Sequence, residues 1–145
     1  MGRALTLEGG SPATYFLDHF TFEIVVRAMD SLGMIQDLNI LDLARAAFHR
    51  ALPGRPLSQI DPGDVRAVME GLRAVGVADP TGIPRHKLNT AEGWLITPRE
   101  ITAALAAYQQ AEPERREAVA ARIDEWATWI DFLHTAGDHA GLRSN

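Results

Sequence analysis

Residues 11–33 read SPATYFLDHFTFEIVVRAMDSLG, and the fold class turns on whether this stretch is helix or strand. Ser11-Pro12 makes a good helix start: the hydroxyl can cap, and proline at the first helical position gives up no needed donor. Tyr15, Phe16, Phe20, Phe22, Val25, Val26, Met29 and Leu32 then recur largely at helical spacing and stop at Gly33. Phe20–Val26 also suits a strand, because aromatic and β-branched residues favour a pleated, half-buried surface. The continuation through Met29 and Leu32 favours helix, interrupted near Thr21, and leaves the state of Phe20–Val26 open.

Working outward, Asp37 is a cap for a second helix with Leu38, Leu41, Ala44, Phe48 and Leu52 on one stripe, ended by Pro53-Gly54. Asp61 caps and Pro62 opens a third, with Val65, Val68, Met69, Leu72 and Val75 facing one way before Gly76. Residues 77–96 are weakly patterned and carry the basic cluster Arg85-His86-Lys87, with room for one small β-hairpin at residues 86–96. Thr97-Pro98-Arg99-Glu100 is a capping box, in which Thr97 accepts from the Glu100 amide while the carboxylate reaches back to the Thr97 amide. Ile101, Ala104, Leu105 and Tyr108 continue that helix, and a last one runs from Glu112-Pro113 to about Ala136. The expectation is an all-α protein, a bundle of about five helices. Residues 1–10 form a flexible arm, 11–141 a single helical domain and 142–145 a tail.

The composition narrows the function classes. A chain of 145 residues with 46% apolar side chains buries a sizeable core without staples. It contains no cysteine, which removes thiolate nucleophiles, iron–sulfur clusters and cysteine zinc sites. A formal charge of −5 disfavours general binding to nucleic acid. With no signal-peptide pattern and no apolar run long enough to span a bilayer, the expected location is the cytoplasm, without membrane contact.

Few motifs announce chemistry. Residues 89–100, NTAEGWLITPRE, end like a calcium loop. Counting back from Glu100, however, puts Ala91 and Gly93 where ligands are needed and Trp94 where glycine is needed, so no metal is expected. Residues 43–94 can be laid out as a winged helix-turn-helix, with Arg66, Arg73, Arg85 and Lys87 facing DNA. Asp64 and Glu70 on the same helix oppose that. Near the C-terminus, Trp126, Trp129, Ile130, Leu133 and Ala136 share one helical stripe, most simply core, with Asp131 and His134 beside it one turn apart. A protonated His139 past the helix end suits the unpaired carbonyls there. No phosphate loop, dinucleotide fingerprint or nucleophile elbow is present, and no cofactor is expected.

The segment Gly93, Trp94, Thr97, Pro98, Glu100, followed by Trp126, Trp129, Phe132, Leu133, Ala136, His139 and Gly141, resembles a group of small bacterial proteins with no assigned activity. That group shares a GWxxTPxE segment and a WxxWxxFLxxAxxHxG last helix. Ala140 stands where the group has glycine. The resemblance supplies no catalytic residues.

The leading functional expectation is a non-catalytic binding or accessory protein that recognises a partner protein or small ligand through a surface lined by Trp94, Trp126 and Trp129. The alternative is a small enzyme with an inter-helix pocket. There Asp131, His134 or His139 act as acid–base groups and Tyr15 or Tyr108 as donors. A winged-helix regulator stands third. The sequence leaves a homo-oligomer open.

Overall fold

In the computed structural model, which describes residues 2–8 and 14–145, the deciding stretch splits at Asp18. Thr14–Asp18 is extended, with Tyr15 and Leu17 turned inward and Phe16 outward. Asp18 then caps the helix His19–Ser31, its carboxylate accepting from the Thr21 amide (2.9 Å) and hydroxyl (2.7 Å). Phe20–Val26 is therefore helical. Phe22, Val25, Val26 and Met29 form its buried stripe, while Phe16 and Phe20 are 63% and 72% exposed. Reading those two phenylalanines as part of one helical stripe hides the strand. The proposed start at Ser11-Pro12 lies outside the described residues.

The strand has a partner. Gly2–Leu7 (β1) pairs antiparallel with Thr14–Asp18 (β2), and on its other side with Leu142–Ser144 (β6), which in turn pairs with Trp94–Ile96 (β5). The order β2-β1-β6-β5 makes a four-stranded antiparallel sheet. This overturns the all-α bundle: the described residues hold seven helices and this sheet, a mixed α/β fold. The expected N-terminal arm contains β1, and the expected tail is β6. Both were illegible for one physical reason: strands of three to six residues, whose sides are satisfied by segments far away in sequence, leave little periodicity.

The helices also differ from expectation. Ile40–Ala51 (α2, counting His19–Ser31 as α1) is capped by Asn39, whose side chain accepts from Leu41 and Asp42 amides, not by Asp37. Its inner stripe is Leu43, Ala44, Ala47 and Phe48, leaving Leu41 66% exposed. Pro62–Arg73 (α3) starts in a capping box made by Asp61 and Asp64. No hairpin occupies 86–96. Instead Ile83–Pro84 (β4) pairs with Ile35–Gln36 (β3), and Arg85–Asn89 is a short helix, α4. Pro98–Gln110 (α5) begins with the expected Thr97–Glu100 capping box. The single last helix is two, Pro113–Arg122 (α6) and Trp126–Asp138 (α7). Ile123 leaves helical geometry (φ −119°, ψ 105°) and is buried, which turns the chain so that Trp126 enters the core.

One core joins the inward residues of the sheet to α1, α5 and α7. Tyr15 stacks on Phe132 at 5.1 Å and Phe22 meets Trp129 edge-on at 6.3 Å, contacts worth about 0.5–1.5 kcal/mol each beyond burial. A second, smaller cluster holds Ala47, Val68 and Leu72 of α2 and α3 against Trp94. Gly141 (φ +95°) turns the chain from α7 into β6, and a Cβ there would strike the Ile96 carbonyl oxygen. No helix of the described residues is long and apolar enough to cross a membrane.

Leu142 is fully buried where β6 lies between β1 and β5. Leu142→Ala is expected to lower unfolding free energy by about 2–5 kcal/mol in urea titration, a cost typical of a core leucine and foreign to a tail residue.

Candidate functional site

The site grows from the triplet Arg85-His86-Lys87. Pro84, fixed near φ −60°, delivers the chain into α4. In one and a half turns of helix, positions 85, 88 and 89 fall on one side, and 86 and 87 on the other. Each member of the triplet then grips a different part of the molecule.

Lys87 is 2% exposed and Glu100 is fully buried. The Lys87 ammonium donates to both Glu100 oxygens (2.9 Å each), to the Val75 carbonyl (3.0 Å) and to the Leu95 carbonyl (2.7 Å). The Glu100 carboxylate also accepts from the Thr97 amide (2.9 Å) and the Val77 amide (3.1 Å). Every proton and each carboxylate oxygen is engaged, the condition under which a buried pair is tolerated. Burial pushes the Lys87 ammonium below its ordinary value, and the Glu100 charge and hydrogen bond oppose that. The pair fastens the segment leaving α3, the end of β5 and the start of α5 in one place. Gly76 within that segment lies against Thr97, where a Cβ would come within 2.7 Å of the methyl group.

Arg85 takes the other end of the arm. Its guanidinium bonds Asp30 (3.0 Å) at the end of α1 and forks onto Asp37, just before α2. The Arg85 hydrogen bond holds the Asp37 carboxyl below its usual range and lifts the guanidinium above its own. Between these two anchors, α2 and α3 pack chiefly on each other and meet the rest of the chain at Trp94. The pair of helices is an arm, pinned at both roots by residues of α4.

Under the arm lies a cavity of about 360 Å³, walled by Leu43, Ala46, Arg50 and Leu72 of the arm, the Val75–Ala78 segment, and His86, Lys87 and Trp94. His86 meets Trp94 edge-on, ring centroids 4.7 Å apart. Trp94 Nε1 and His86 Nδ1 are both buried without a hydrogen-bond partner. Burial lowers the His86 pKa, and the Lys87 charge lowers it further against the opposing pull of Glu100. At neutral pH the imidazole is uncharged, a donor at one nitrogen and an acceptor at the other. Lys87 and Glu100 are spent on each other and on the backbone, which leaves His86 as the titratable group of the cavity wall without a hydrogen-bond partner at Nδ1. Among the described residues no group of three or more His, Asp or Glu side chains could hold a metal.

The expected site residues scatter. Trp126 and Trp129 are core, 1% and 0% exposed, with Trp126 Nε1 donating to the Tyr108 hydroxyl at 3.2 Å. Trp94 lines the cavity under the arm. Asp131, His134 and His139 are exposed, His139 Nδ1 lying 2.8 Å from the Thr135 carbonyl. The Tyr15 hydroxyl donates to Glu125 (3.0 Å), and burial with that carboxylate pushes its pKa up to about 12. None of these side chains lines the cavity under the arm. The DNA face dissolves as well, since Lys87 is buried, Arg85 is held by two aspartates, and Arg73 lies 3.6 Å from Glu92. The calcium loop fails on Glu100, both of whose oxygens are occupied. No protein-family model matches the chain, and no curated protein or solved structure gives a significant match.

Sequence reasoning saw Glu100 only as a capping residue and Lys87 only as part of a basic cluster. No local pattern links residues thirteen apart across a turn and a strand. The detectable clue is that a capping-box carboxylate followed by an apolar helix face is buried with it, and a buried carboxylate needs a cation.

Lys87→Met and Glu100→Gln are each expected to cost about 3–5 kcal/mol, since each leaves an uncompensated buried charge. The double variant should cost less than the two combined, a coupling readable in a double-mutant cycle from urea midpoints. A second expectation concerns pH. With the His86 pKa lowered in the folded state, the unfolded chain binds more protons below about pH 6.5, so stability falls as the pH drops through that value and levels off below the folded pKa. His86→Gln should flatten this part of the profile when thermal midpoints at pH 7.5 and 5.5 are compared.

Proposed function

We propose that this is a small cytoplasmic, non-catalytic binding protein that encloses a small ligand between the α2–α3 arm and Trp94. The observation carrying the proposal is the pair of unpartnered ring nitrogens, Trp94 Nε1 and His86 Nδ1, on residues that line one cavity. An unmade buried hydrogen bond costs about 1–3 kcal/mol, a cost a ligand with matching groups removes. The volume, about 360 Å³, lies at the small end of ligand pockets.

The walls call for a guest with a polar group. His86 is neutral, Lys87 is balanced by Glu100, and the exposed Arg50 lines the cavity beside apolar surface from Leu43, Ala46 and Leu72. The Trp94 indole N–H and His86 Nδ1 are buried in the wall and meet a guest as the arm lifts. A small amide or related carbonyl compound with a compact apolar body fits these demands. Because the arm meets the body largely through Trp94, the route in is a lifting of α2 and α3 about their pinned roots.

The test uses the three indole N–H signals in ¹H–¹⁵N spectra of the full chain, titrated with benzamide and isobutyramide. Binding under the arm should shift the Trp94 indole signal saturably and leave those of Trp126 and Trp129 in place. Trp94→Phe, which keeps most of the ring and loses the donor, should weaken binding about tenfold, the worth of one well-placed hydrogen bond. If neither amide moves the Trp94 signal, or if Trp94→Phe binds as well as the parent chain, the proposal is wrong.

A further inference from the structure

The other side of α4 faces a second cavity of about 360 Å³, lined by Arg3, His19, Phe22, Glu23, Arg27 and Arg85 among others. Arg3 is the unusual member. Strand alternation places it on the same face of β1 as Leu5 and Leu7, which are buried, and opposite Leu17, also buried. A guanidinium on the inner face of a sheet is costly unless its donors are met. Here the fork is half met. Nη2 donates to the Asn89 carbonyl (2.7 Å) and the group lies 5.5 Å from the Phe22 ring centroid, while Nη1 is buried with no partner.

The neighbouring charges do not supply that partner. Arg85 is taken by Asp30 and Asp37. The one carboxylate in the lining, Glu23, lies 3.2 Å from His19. Arg27, exposed on α1, makes no ion pair among the described residues. Three guanidiniums thus border one cavity that holds a single carboxylate, Glu23, and two of them, Arg3 and Arg27, have no carboxylate partner among the described residues. Phe22, Val26 and Leu88 add an apolar wall.

We infer that this cavity binds an oxyanion, the carboxylate or phosphate of a small molecule with an apolar body, held by Arg3 and Arg27. A planar fork with one free arm is suited to such a group, and a small turn of the guanidinium toward the cavity brings Nη1 to it. The inference goes beyond the amide site and does not rest on it, because α4 separates the two: Arg85, Leu88 and Asn89 line this cavity, and His86 and Lys87 the other.

Benzoate and phenyl phosphate are the two probes, followed by arginine Nε–Hε and backbone amide signals of the full chain. Either probe should shift Arg3, Arg27 and Asn89 saturably, leaving the Trp94 indole signal unmoved, and the tighter one names the oxyanion. Raising the salt from about 50 to about 300 mM should weaken binding, as screening requires. Arg27→Gln, a surface change that leaves the fold intact, should weaken it about tenfold. Arg3→Lys, which keeps the charge and loses the fork, should do likewise. Absence of saturation with both probes would overturn the inference. So would undiminished binding by Arg27→Gln, or by an Arg3→Lys variant with an unchanged circular dichroism spectrum.

Discussion

The buried bond between Lys87 and Glu100 is the constraint on which the rest of this architecture is hung. A charge pair in the interior gains little net stability over a well-packed apolar pair, because each ion gives up its hydration. What it supplies here is position. Four chain segments separated in sequence, α4, the exit from α3, the end of β5 and the start of α5, contribute polar groups to one centre. Shift any one of them and a charged group in the interior loses a partner. The cost of displacement is therefore steep, and the segment Val75–Val77, otherwise an irregular loop, is held as firmly as a strand.

That firmness explains why two helices with little apolar contact to the body still have a defined place. The arm's own stripe of Leu43, Ala44, Ala47, Phe48, Val68 and Leu72 closes mainly on itself, and its outer face keeps Leu41 and Val65 in solvent. Its orientation comes from polar anchors at the two roots, Arg85 at one and Lys87 at the other. Such a joint is stiff at the hinges and soft across the contact, where Trp94 is the principal apolar bridge. The wall between the two cavities is a single short helix, so a ligand on either side would press on residues adjacent to those serving the other.

Sequence patterns revealed the local features and missed the distant ones. The caps at Asp61 and Thr97 and the stripe of α5 follow from spacing within a few residues, and they are present. Of the expected α3 stripe Val68 and Leu72 are buried while Val65 and Val75 are exposed, and Trp126 and Trp129 obey their helical stripe as core and not the binding surface expected of them. The sheet was invisible. β6 is too short to show alternation, in β1 the charged Arg3 shares the inner face with Leu5 and Leu7, and in β2 an apolar Phe16 sits on the outer face and disguises the period of two. The site suffered the same loss. Arg85, His86 and Lys87 look like one basic patch in sequence, yet a helical turn aims them at an acidic hinge, an indole and a buried carboxylate. Charge composition describes a patch only when its members share a face, and these do not.

The placement of β6 has a kinetic side. Residues 142–144 lie between β1 and β5, so the sheet joins segments from opposite ends of the described chain. Closing that loop carries a large entropic cost before any pairing returns it, and folds dominated by such distant contacts form slowly. During synthesis, β1 has one unpaired edge and β5 has no strand partner until residues 142–144 have left the ribosome. The helices, with local contacts, can form well before that. The molecule passes its most aggregation-prone interval with helices made, one edge of β1 open and β5 unpaired, and the last residues to join the sheet are the ones that end it.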